Sequence, residues 1–247
     1  MQVLKVVADG LTTSFRYPHF MQEVQPTFEM PPPATIYGHI CSALGEWFDP
    51  AGTQFALHFS FEARFDDMEH VHLVSPATGK LPGTSMDKAL GGGIMPFTRG
   101  LLFRPHLVLY VNRPEWLPHF CSPRYAVSLG RSQDLFTYSS IEIVQLERAA
   151  NAYMEHTLAP YSFARRLGQG VVVLMPRFVD PWHNRRPSFG RYVVLHRRVH
   201  CRDLLRFSND PEIELWTDPS APIIDGDRLG LAFHTWIGDD ESALRLS

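Results

Sequence analysis

The stretch PPPATIYGHICSALG, residues 31–45, is the part of the sequence that most constrains the fold. Each proline lacks an N–H group and fixes φ, so the three prolines hold the incoming backbone extended. A helix is predicted directly after them, with Thr35 as its N-cap. Helical spacing places five apolar residues on one face of this helix: Ile36, Ile40, Ala43, Leu44 and Trp47.

The start of this predicted helix has a possible binding role. The first N–H groups of a helix have no partner within the helix, and together with the helix dipole they favour an anion such as phosphate. A fixed, extended lead would hold these groups in one place. An ordinary loop-to-helix junction explains the same residues equally well at this point.

Composition indicates a folded chain in a reducing compartment. The 247 residues are 45% hydrophobic and 12% aromatic, enough for one large domain or two small ones. No apolar run approaches the length of a membrane span, and the first residues lack the layout of a signal peptide. Cys41, Cys121 and Cys201 are odd in number and far apart, which argues against disulfides and favours the cytoplasm.

The charge is unevenly distributed along the chain. The net charge is −3, but residues 1–100 carry −4, residues 101–206 carry +8 and residues 207–247 carry −7. Arginine supplies 20 of the 23 basic residues. Its planar guanidinium is suited to phosphate and to stacking on bases. A basic middle therefore indicates an anionic partner, unless the arginines are scattered over a solvated surface.

The first half of the chain has a recognisable order of elements. Residues 2–8 are predicted as a strand, residues 11–20 as a loop, and residues 55–65 as a half-buried strand that follows the helix. The loop mixes arginine, hydroxyls and aromatics, a combination typical of single-stranded RNA sites, although its aromatics could also pack beneath the loop. Strand, loop, helix and strand open a ferredoxin-like or RNA-recognition-motif domain.

The middle of the chain contains an insertion. Residues 66–100 are rich in glycine and proline and contain only a short strand candidate at 70–75, so they are predicted to form a flexible excursion. A strand at 101–111 with a bulge or edge at Pro105 follows, then a short helix near 114–117. Residues 123–132 are predicted as a brief strand that ends in a Gly-Arg-Ser turn able to contact one phosphate.

The remaining sequence is predicted to be strand-rich. Strands are predicted at 138–147, 170–175, 191–195, 212–217 and 229–237, and residues 148–158 as a short helix or a loop. The 170–175 and 191–195 strands are of the buried type. Between them, residues 177–186 are polar, aromatic and basic, and residues 239–241 form a solvated acidic end.

No motif with diagnostic catalytic or metal-binding spacing is present in the sequence. His70 and His72 share a strand face, and His196, His200 and Cys201 are close in sequence, but neither group has an evident third ligand. No metal or other cofactor is therefore predicted. A metal-free ribonuclease needs only a base, an acid and a cation, and the candidates for those groups are Tyr37, His19, His39 and His119.

Two motifs resemble a known family. The stretch PTFEMPPPATIYGHICSALG, after a first strand and SFRYP, resembles the amino-terminal signature of CRISPR-associated protein family five, the "Cas five" subunits of type I interference complexes. The later PRYAVSLGRSQDL resembles the second signature of that family, a strand closing in Leu-Gly-Arg. The resemblance is strongest over residues 1–50 and 123–135 and is nearest to type I-B members.

The resemblance implies an α+β fold with two parts. Residues 1–150 would form a ferredoxin-like/RNA-recognition-motif domain with an inserted β-hairpin thumb at about 66–100, and residues 151–247 a smaller β-rich C-terminal part. The implied function is that of a non-catalytic, cytoplasmic subunit of a Cascade complex that binds the 5′ handle of CRISPR RNA and caps the backbone-subunit filament. Its partners would be CRISPR RNA, the Cas seven backbone subunits, the large Cas eight subunit and, through the complex, target DNA, with no membrane.

The resemblance also implies site residues, carried over by position. The implied RNA-binding residues are Ser14, Phe15, Arg16, Tyr17, His19, Pro33, Thr35, Tyr37, Gly38, Arg124, Leu129, Gly130, Arg131 and Ser132. The implied thumb residues are Gly91, Gly92, Gly93, Met95 and Arg99.

Two other functions remain open. The type I-C branch of the family cleaves precursor RNA with a tyrosine, lysine and histidine cluster, which makes a metal-independent endoribonuclease the alternative. Tyr37 could be that tyrosine, but Lys5, Lys80 and Lys88 are the only lysines and none pairs with a histidine in the sequence. A generic RNA-recognition-like protein without a CRISPR role is the third hypothesis.

Overall fold

The computed structural model describes residues 1–20, 23–205 and 214–238, with the side chains of 75–77 and 89–92 left out. The strands are β1 (Gln2–Gly10), β2 (Thr12–Thr13), β3 (Phe15–Arg16), β4 (Val24–Gln25), β5 (Thr27–Phe28), β6 (Phe55–Ser60), β7 (Ala63–Lys80), β8 (Asp87–Phe103), β9 (His106–Val111), β10 (Phe136–Gln145), β11 (Glu147–Ala149), β12 (Ala152–Met154), β13 (Thr157–Pro160), β14 (Val171–Asp180), β15 (Arg186–Leu195), β16 (Val199–His200), β17 (Leu215–Thr217) and β18 (Arg228–Leu231). The helices are α1 (Pro33–Leu44), α2 (Leu117–Cys121), α3 (Ala164–Leu167) and three 3₁₀ turns at Pro114–Trp116, Tyr161–Phe163 and Cys201–Asp203.

The first half of the chain is built on a four-stranded antiparallel sheet. Its strand order is β10-β1-β9-β6. In sequence, α1 lies between β1 and β6, and α2 lies between β9 and β10. The strand predicted at 2–8 and the short helix near 114–117 are confirmed, and the strand predicted at 138–147 corresponds to β10. The strand predicted at 101–111 is two strands, because residues 101–103 end β8 and residues 106–111 form β9 in a different sheet, with Arg104 and Pro105 between them.

Helix α1 begins and ends through backbone geometry alone. Pro32 occupies the N-cap position and no side chain caps the helix. The prediction of Thr35 as N-cap was wrong, because the prolines already set the extended entry and the Thr35 N–H donates to the Pro32 carbonyl at 2.8 Å. The helix ends at Gly45, which takes φ 85° and donates its N–H to the Cys41 carbonyl. Trp47 therefore lies beyond the helix, 51% exposed, and not on its apolar face.

The inserted segment is a long β-hairpin. β7 has 18 residues and β8 has 17, and the two pair antiparallel along their length. At about 3.3 Å per residue each strand extends over ~55 Å. The predicted insertion therefore does form a β-hairpin. Its two strands are regular along their length, whereas the sequence predicted a flexible segment with only a short strand at 70–75. Gly93 pairs with Leu73 and Gly91 with Val74 across a register shift.

The strand predicted at 55–65 is two strands. β6 pairs with β9, whereas β7 starts a new partnership in which Ala63 lies opposite Phe103 of β8. The Glu62 N–H donates to the Phe103 carbonyl at the break. The predicted alternation holds through Phe59, which is fully buried, and fails at Phe65, which is 41% exposed.

The second half of the chain forms two more sheets, ordered β13-β15-β14 and β11-β17-β18-β12-β16. The strands predicted at 170–175 and 191–195 are confirmed, although Val171, Val172 and Leu174 are exposed. The strand predicted at 229–237 is shorter in the structure and corresponds to β18. The strand predicted at 212–217 is described only in part, and that part contains β17. The predicted acidic end at 239–241 lies outside the described residues.

Two predictions in the middle of the chain were wrong. Residues 148–158 were predicted as helix or loop but contain parts of β11 and β13 and all of β12. Residues 123–132 were predicted to contain a strand but form an irregular segment with a single bridge from Ser128 to Leu135. Both segments are held by contacts with distant residues, which override local propensity.

One hydrophobic core joins α1, the central sheet and the β14–β15 hairpin. It includes Ile36 of α1, Phe59 of β6, Met175 and Tyr192 of the hairpin, and Trp236. The division of the chain at residue 150 stays a prediction. None of the helices in the described ranges combines the length and the apolar character needed to cross a membrane.

Candidate nucleic-acid interface

The turn that follows residue 128 is organised by one buried carboxylate. Asp134 accepts hydrogen bonds from the Ser14 N–H at 3.2 Å and from the Arg131 N–H at 2.8 Å. The Arg131 guanidinium donates to the same carboxylate, with Nη2 at 2.7 Å from Oδ1. The Asp134 side chain has no exposed surface. The structure therefore brings together the Ser14 loop and the Gly130-Arg131 turn, as the two sequence signatures predicted.

Gly130 is required at this turn by both its conformation and its neighbours. Its φ is +104°, in the left-handed region that favours glycine. A Cβ there would lie 2.5 Å from Thr13 Oγ1 and 2.8 Å from the Ser14 carbonyl. The Thr13 hydroxyl meanwhile donates to the Leu129 carbonyl. The Leu-Gly-Arg motif thus packs the turn against β2 and the following loop.

The long hairpin is tied to the same turn through Glu69 of β7. This carboxylate accepts hydrogen bonds from Arg131 Nη1 and, at 2.8 Å, from Arg99 Nε of β8. Burial works against the charge of Arg131, but Asp134 and Glu69 outweigh it and raise the pKa of Arg131. The guanidinium proposed from sequence to hold a phosphate already faces two carboxylates. Arg131 and Arg99 consequently fix the base of the hairpin.

The predicted loop site divides into buried and exposed residues. Phe15 is buried against Phe59, with ring centroids 5.5 Å apart. Tyr17 stacks on Phe28 at 3.7 Å, and burial raises the pKa of Tyr17. Only Arg16 and His19 of the polar predicted residues in this loop are exposed to solvent.

The proline-led start of α1 is enclosed. Pro31, Pro32 and Pro33 are buried, and the Pro33 carbonyl accepts a hydrogen bond from Trp236 Nε1 at 2.7 Å. The N–H groups of Thr35 and Ile36 both donate to the Pro32 carbonyl. The interpretation of this end as an open phosphate site is therefore not supported by the geometry.

The residues of the proposed ribonuclease site are separated and partly buried. The Tyr37 hydroxyl donates to the Phe48 carbonyl at 2.7 Å, and burial raises the pKa of Tyr37. His39 is buried between the Ser128 carbonyl and the Tyr138 hydroxyl, and burial lowers the pKa of His39. His19 and His119 are exposed on other elements. In the described part of the chain, no hydrogen bond, ion pair or ring contact joins these four candidates.

An open cleft lies along the exposed side of α1, and we call it the helix cleft. It has a volume of about 410 Å³ and is lined by Gly38, Cys41, Ser42, Gly45, Glu46, Trp47 and Tyr125. Trp47 and Tyr125 are 51% and 57% exposed. The Arg124 guanidinium lies 5.5 Å from the centroid of the Tyr125 ring. Burial raises the pKa of the Cys41 thiol to about 11, so this thiol is not a ready nucleophile.

The helix cleft combines two exposed aromatic rings with one acidic side chain, Glu46, and Arg124 lies over the ring of Tyr125. Two exposed aromatic rings can stack on bases, and arginine adds a cation with planar geometry. Nothing extends from Gly38 into the cleft, and even a Cβ at this position would meet no atom within 4 Å. Trp47 lies parallel to the buried Tyr37, with centroids 6.2 Å apart and 6° between the planes, which fixes its orientation.

Comparison with solved structures shows the fold. A chain of a CRISPR RNA-guided surveillance complex superposes with a TM-score of 0.53 at 14% identity, over 84% of this chain and 95% of that chain. This chain therefore shares the fold of that chain. A chain of the type III-B Cmr-beta complex bound to cognate target RNA and AMPPnP has a TM-score of 0.44 at 11% identity, covering 81% and 86%. A CRISPR protein from Archaeoglobus fulgidus has a TM-score of 0.42 at 8% identity, covering 94% and 100%.

Sequence comparison adds no family. No protein-family model matches this chain, and no curated protein matches it either. Among the described residues, no group of three or more His, Cys, Asp or Glu side chains is arranged to hold a metal ion.

The remaining predicted site residues are distributed over several elements. Leu129 is buried, Thr35 is half-buried and Ser132 is exposed. Gly91, Gly92, Gly93, Met95 and Arg99 all lie on β8, and their role as thumb residues stays a prediction. Met95 is 47% exposed, whereas Arg99 is buried at the hairpin base.

Sequence reasoning missed the aromatic lining of the helix cleft. Trp47 was assigned to the core because it continues the helical spacing, and Tyr125 was placed in a strand. The glycine at position 45 was the available signal, since a helix that stops there releases Trp47 from the apolar face. Glu69 and Asp134 were also missed, because their partners lie far away in the sequence or in a turn.

Proposed function

We propose that this chain is a non-catalytic subunit of a type I CRISPR interference complex that binds the 5′ handle of CRISPR RNA and caps the backbone-subunit filament. The observation that carries the proposal is the helix cleft, with Trp47 and Tyr125 exposed and Arg124 stacked beside them. Aromatic platforms with arginine are the means by which proteins hold single-stranded RNA. The fold shared with a subunit of a surveillance complex supports the same assignment.

The central sheet supports the finer fold assignment. The strand order β10-β1-β9-β6, with helices after the first and third strands, is the arrangement of a ferredoxin-like domain. In this proposal the β7–β8 hairpin is the thumb that folds over the guide. Val71, Leu73 and Met95 are exposed on one face of it, where a neighbouring Cas seven subunit would cover them.

The absence of catalysis is part of the proposal. Tyr37 and His39 are enclosed and already hydrogen-bonded, so neither is poised to attack or protonate a phosphodiester. Arg16 and Arg124 are exposed, and neither has an ion pair or a hydrogen bond from its guanidinium to any other described residue. These two arginines are the cations that remain available for phosphates among the predicted site residues.

Binding of labelled repeat RNA to the purified full-length chain, with EDTA present, tests the proposal. We expect stable binding without cleavage. The change Trp47→Ala should weaken binding roughly tenfold, since stacking contributes about 1–3 kcal/mol per base. The matched control is Ile223→Ala, which removes another exposed apolar side chain, 60% exposed, from the acidic end of the chain.

Each outcome separates the hypotheses. Discrete cleavage in EDTA would replace the non-catalytic proposal with the endoribonuclease alternative. Equal binding by the Trp47→Ala and Ile223→Ala variants would remove the helix cleft as the RNA site. Protein isolated from its own cells should carry RNA of uniform length with a fixed 5′ end, and RNA of random length would favour the generic RNA-binding hypothesis.

A further inference from the structure

The β14–β15 hairpin presents a surface that the helix cleft does not involve. Arg191 lies opposite Leu174, and Phe189 lies opposite Pro176, so these residues share one face of the hairpin. The other face carries Met175 and Tyr192, which are fully buried in the core. The first face is open, with Leu174 49% and Phe189 39% exposed. The hairpin is therefore buried in the core on one side and partly exposed to solvent on the other.

Aromatic rings and arginine alternate on this open side. The Arg191 guanidinium lies 4.5 Å from the centroid of the Tyr161 ring, which is 44% exposed. Phe189 stacks with His19 of the first loop, with centroids 6.1 Å apart and 24° between the planes. Trp182, at the tip of the hairpin, is 55% exposed.

The charge around this hairpin is strongly positive. Residues 161–202 contain nine arginines and one acidic residue, Asp180. The Asp180 carboxylate is paired within the hairpin tip, since it lies 2.7 Å from His183 Nδ1 and accepts a hydrogen bond from the Trp182 N–H. Within the described ranges, the guanidinium groups of Arg185 and Arg186 have neither an ion pair nor a hydrogen bond, unlike that of Arg131.

The tip holds an arginine in a conformation that costs free energy. Asn184 and Arg185 both take positive φ, 53° and 54°. Asparagine tolerates this region, whereas arginine is less favourable there than glycine would be. Arg104, the control residue below, takes a similar φ of 48°, so the two arginines compared share this backbone conformation and differ in whether the guanidinium is paired.

We propose that the open face of the hairpin, with Tyr161, Leu174, Phe189 and Arg191, and its tip, with Trp182, Arg185 and Arg186, together form a second binding site for single-stranded nucleic acid, which we call the hairpin surface. Unpaired arginines supply phosphate contacts and exposed rings supply stacking, which together bind a strand without selecting its sequence. Both RNA and DNA single strands carry this chemistry. The site is independent of the helix cleft and would engage a different segment of nucleic acid.

Fluorescence anisotropy with the full-length chain tests this site. The probes are a labelled oligouridylate and a labelled oligodeoxythymidylate, titrated over a range of salt concentrations. We expect Arg185→Ala and Arg186→Ala each to weaken binding about threefold to tenfold and to reduce the salt slope by about 0.7. Trp182→Ala should weaken binding about tenfold and leave the slope unchanged, because stacking releases no counterion.

Arg104→Ala is the matched control. Arg104 is also exposed, but its guanidinium is paired with Glu62 at 3.3 Å, so its removal should change affinity by less than about twofold. All variants alter exposed side chains, and circular dichroism checks that they fold. The ratio of the affinities for the RNA and DNA probes shows which of the two kinds of single strand the site prefers.

The outcome is separable from that of the proposed function. Measurement in the Trp47→Ala background weakens binding at the helix cleft, so a larger share of the remaining binding comes from the hairpin surface. If Arg185→Ala and Arg186→Ala keep the parent salt slope there, the hairpin surface is not a nucleic-acid site, whatever the helix cleft binds. If they reduce the slope while Trp47→Ala alone leaves handle binding intact, the second site stands and the first does not.

Discussion

At the scale of single residues, Asp134 does the most to hold the two sequence signatures together. Its carboxylate accepts from two backbone N–H groups and one guanidinium, and it has no exposed surface. Its removal leaves Arg131 with one partner and leaves two N–H groups unpaired. A buried N–H group without an acceptor, or a buried charge without its partner, lowers the free energy of unfolding by several kcal/mol.

We expect Asp134→Ala to lower the free energy of unfolding by about 3 kcal/mol, since one partner of an enclosed ion pair is lost. Urea denaturation measures this change in the free energy of unfolding. Ser132→Ala, in the same turn but exposed, is the control and should stay within about 0.5 kcal/mol of the parent. A loss below about 1 kcal/mol for Asp134→Ala would show that the turn does not depend on this carboxylate.

Gly130 allows a second test in which two costs can be separated. Gly130→Ala adds a Cβ at φ +104° and also brings it 2.5 Å from Thr13 Oγ1. Gly226→Ala adds a Cβ at φ +84° with nothing within 4 Å. Both changes should destabilise by about 1–2 kcal/mol for the backbone, and Gly130→Ala by a further ~1–3 kcal/mol for the overlap. Equal thermal unfolding midpoints for the two variants would contradict the close approach.

At the scale of elements, a row of histidines joins β6 to the turn between β12 and β13. His58 and His156 have ring centroids 5.3 Å apart, and His196 follows 6.3 Å from His156. Burial lowers the pKa of His58 to about 4, helped by His156 and His106 and opposed by Glu155. Burial also lowers the pKa of His156.

This row predicts a pH dependence of stability. An unfolded histidine has a pKa near 6.5, so between about pH 6.5 and 4 the unfolded chain binds more protons than the folded one. Stability contributed by the neutral His58 is complete above this window and is lost as the pH falls through it. We expect the free energy of unfolding to drop between pH 7 and pH 5, and His58→Phe to reduce that drop.

The control for this prediction is His119→Phe, which replaces an exposed histidine on α2. It should leave the pH dependence as it is in the parent. If His58→Phe unfolds with the full pH dependence, the effect arises elsewhere in the protein. Urea titrations at each pH give the required free energies.

At the scale of the whole molecule, Trp236, near the end of the described chain, contacts the start of α1. It is 1% exposed and donates from Nε1 to the Pro33 carbonyl at 2.7 Å. Trp236→Phe keeps most of the ring but leaves this carbonyl without its donor. We expect a loss of about 1–3 kcal/mol in chemical denaturation. Trp182→Phe, the same change at an exposed site, should lie near the parent, and a similar loss in both would contradict the role of the hydrogen bond.

The central sheet and α1 were predictable from sequence because their signals are local. Alternation in 55–59, the apolar strand at 2–8 and the glycine at 45 each specify a structure within a few residues. The long hairpin was recognised only as an insertion. Its strands pair with each other over their length, and exposed apolar residues such as Met68 and Ile94 give no alternation that marks a strand.

The sequence predicted which segments of the candidate site lie close together, but not which side chains in them are paired and which are exposed. The two signatures do meet, yet Arg131 is paired with Glu69, which is 62 residues away along the chain. An ion pair of this kind depends on register between β7 and the turn, and no local pattern contains that information. The same limitation hid the helix cleft, because exposure of Trp47 depends on where α1 ends and on what lies beside it.

The hydrogen bond between Trp236 and Pro33 has a consequence for how the protein is made. The two residues are separated by 203 positions, so nearly the whole described chain must emerge from the ribosome before the start of α1 is covered. Contacts this distant in sequence slow folding, because a long loop must close before they form. During synthesis the Pro33 carbonyl would therefore lack this donor until Trp236 has left the ribosome.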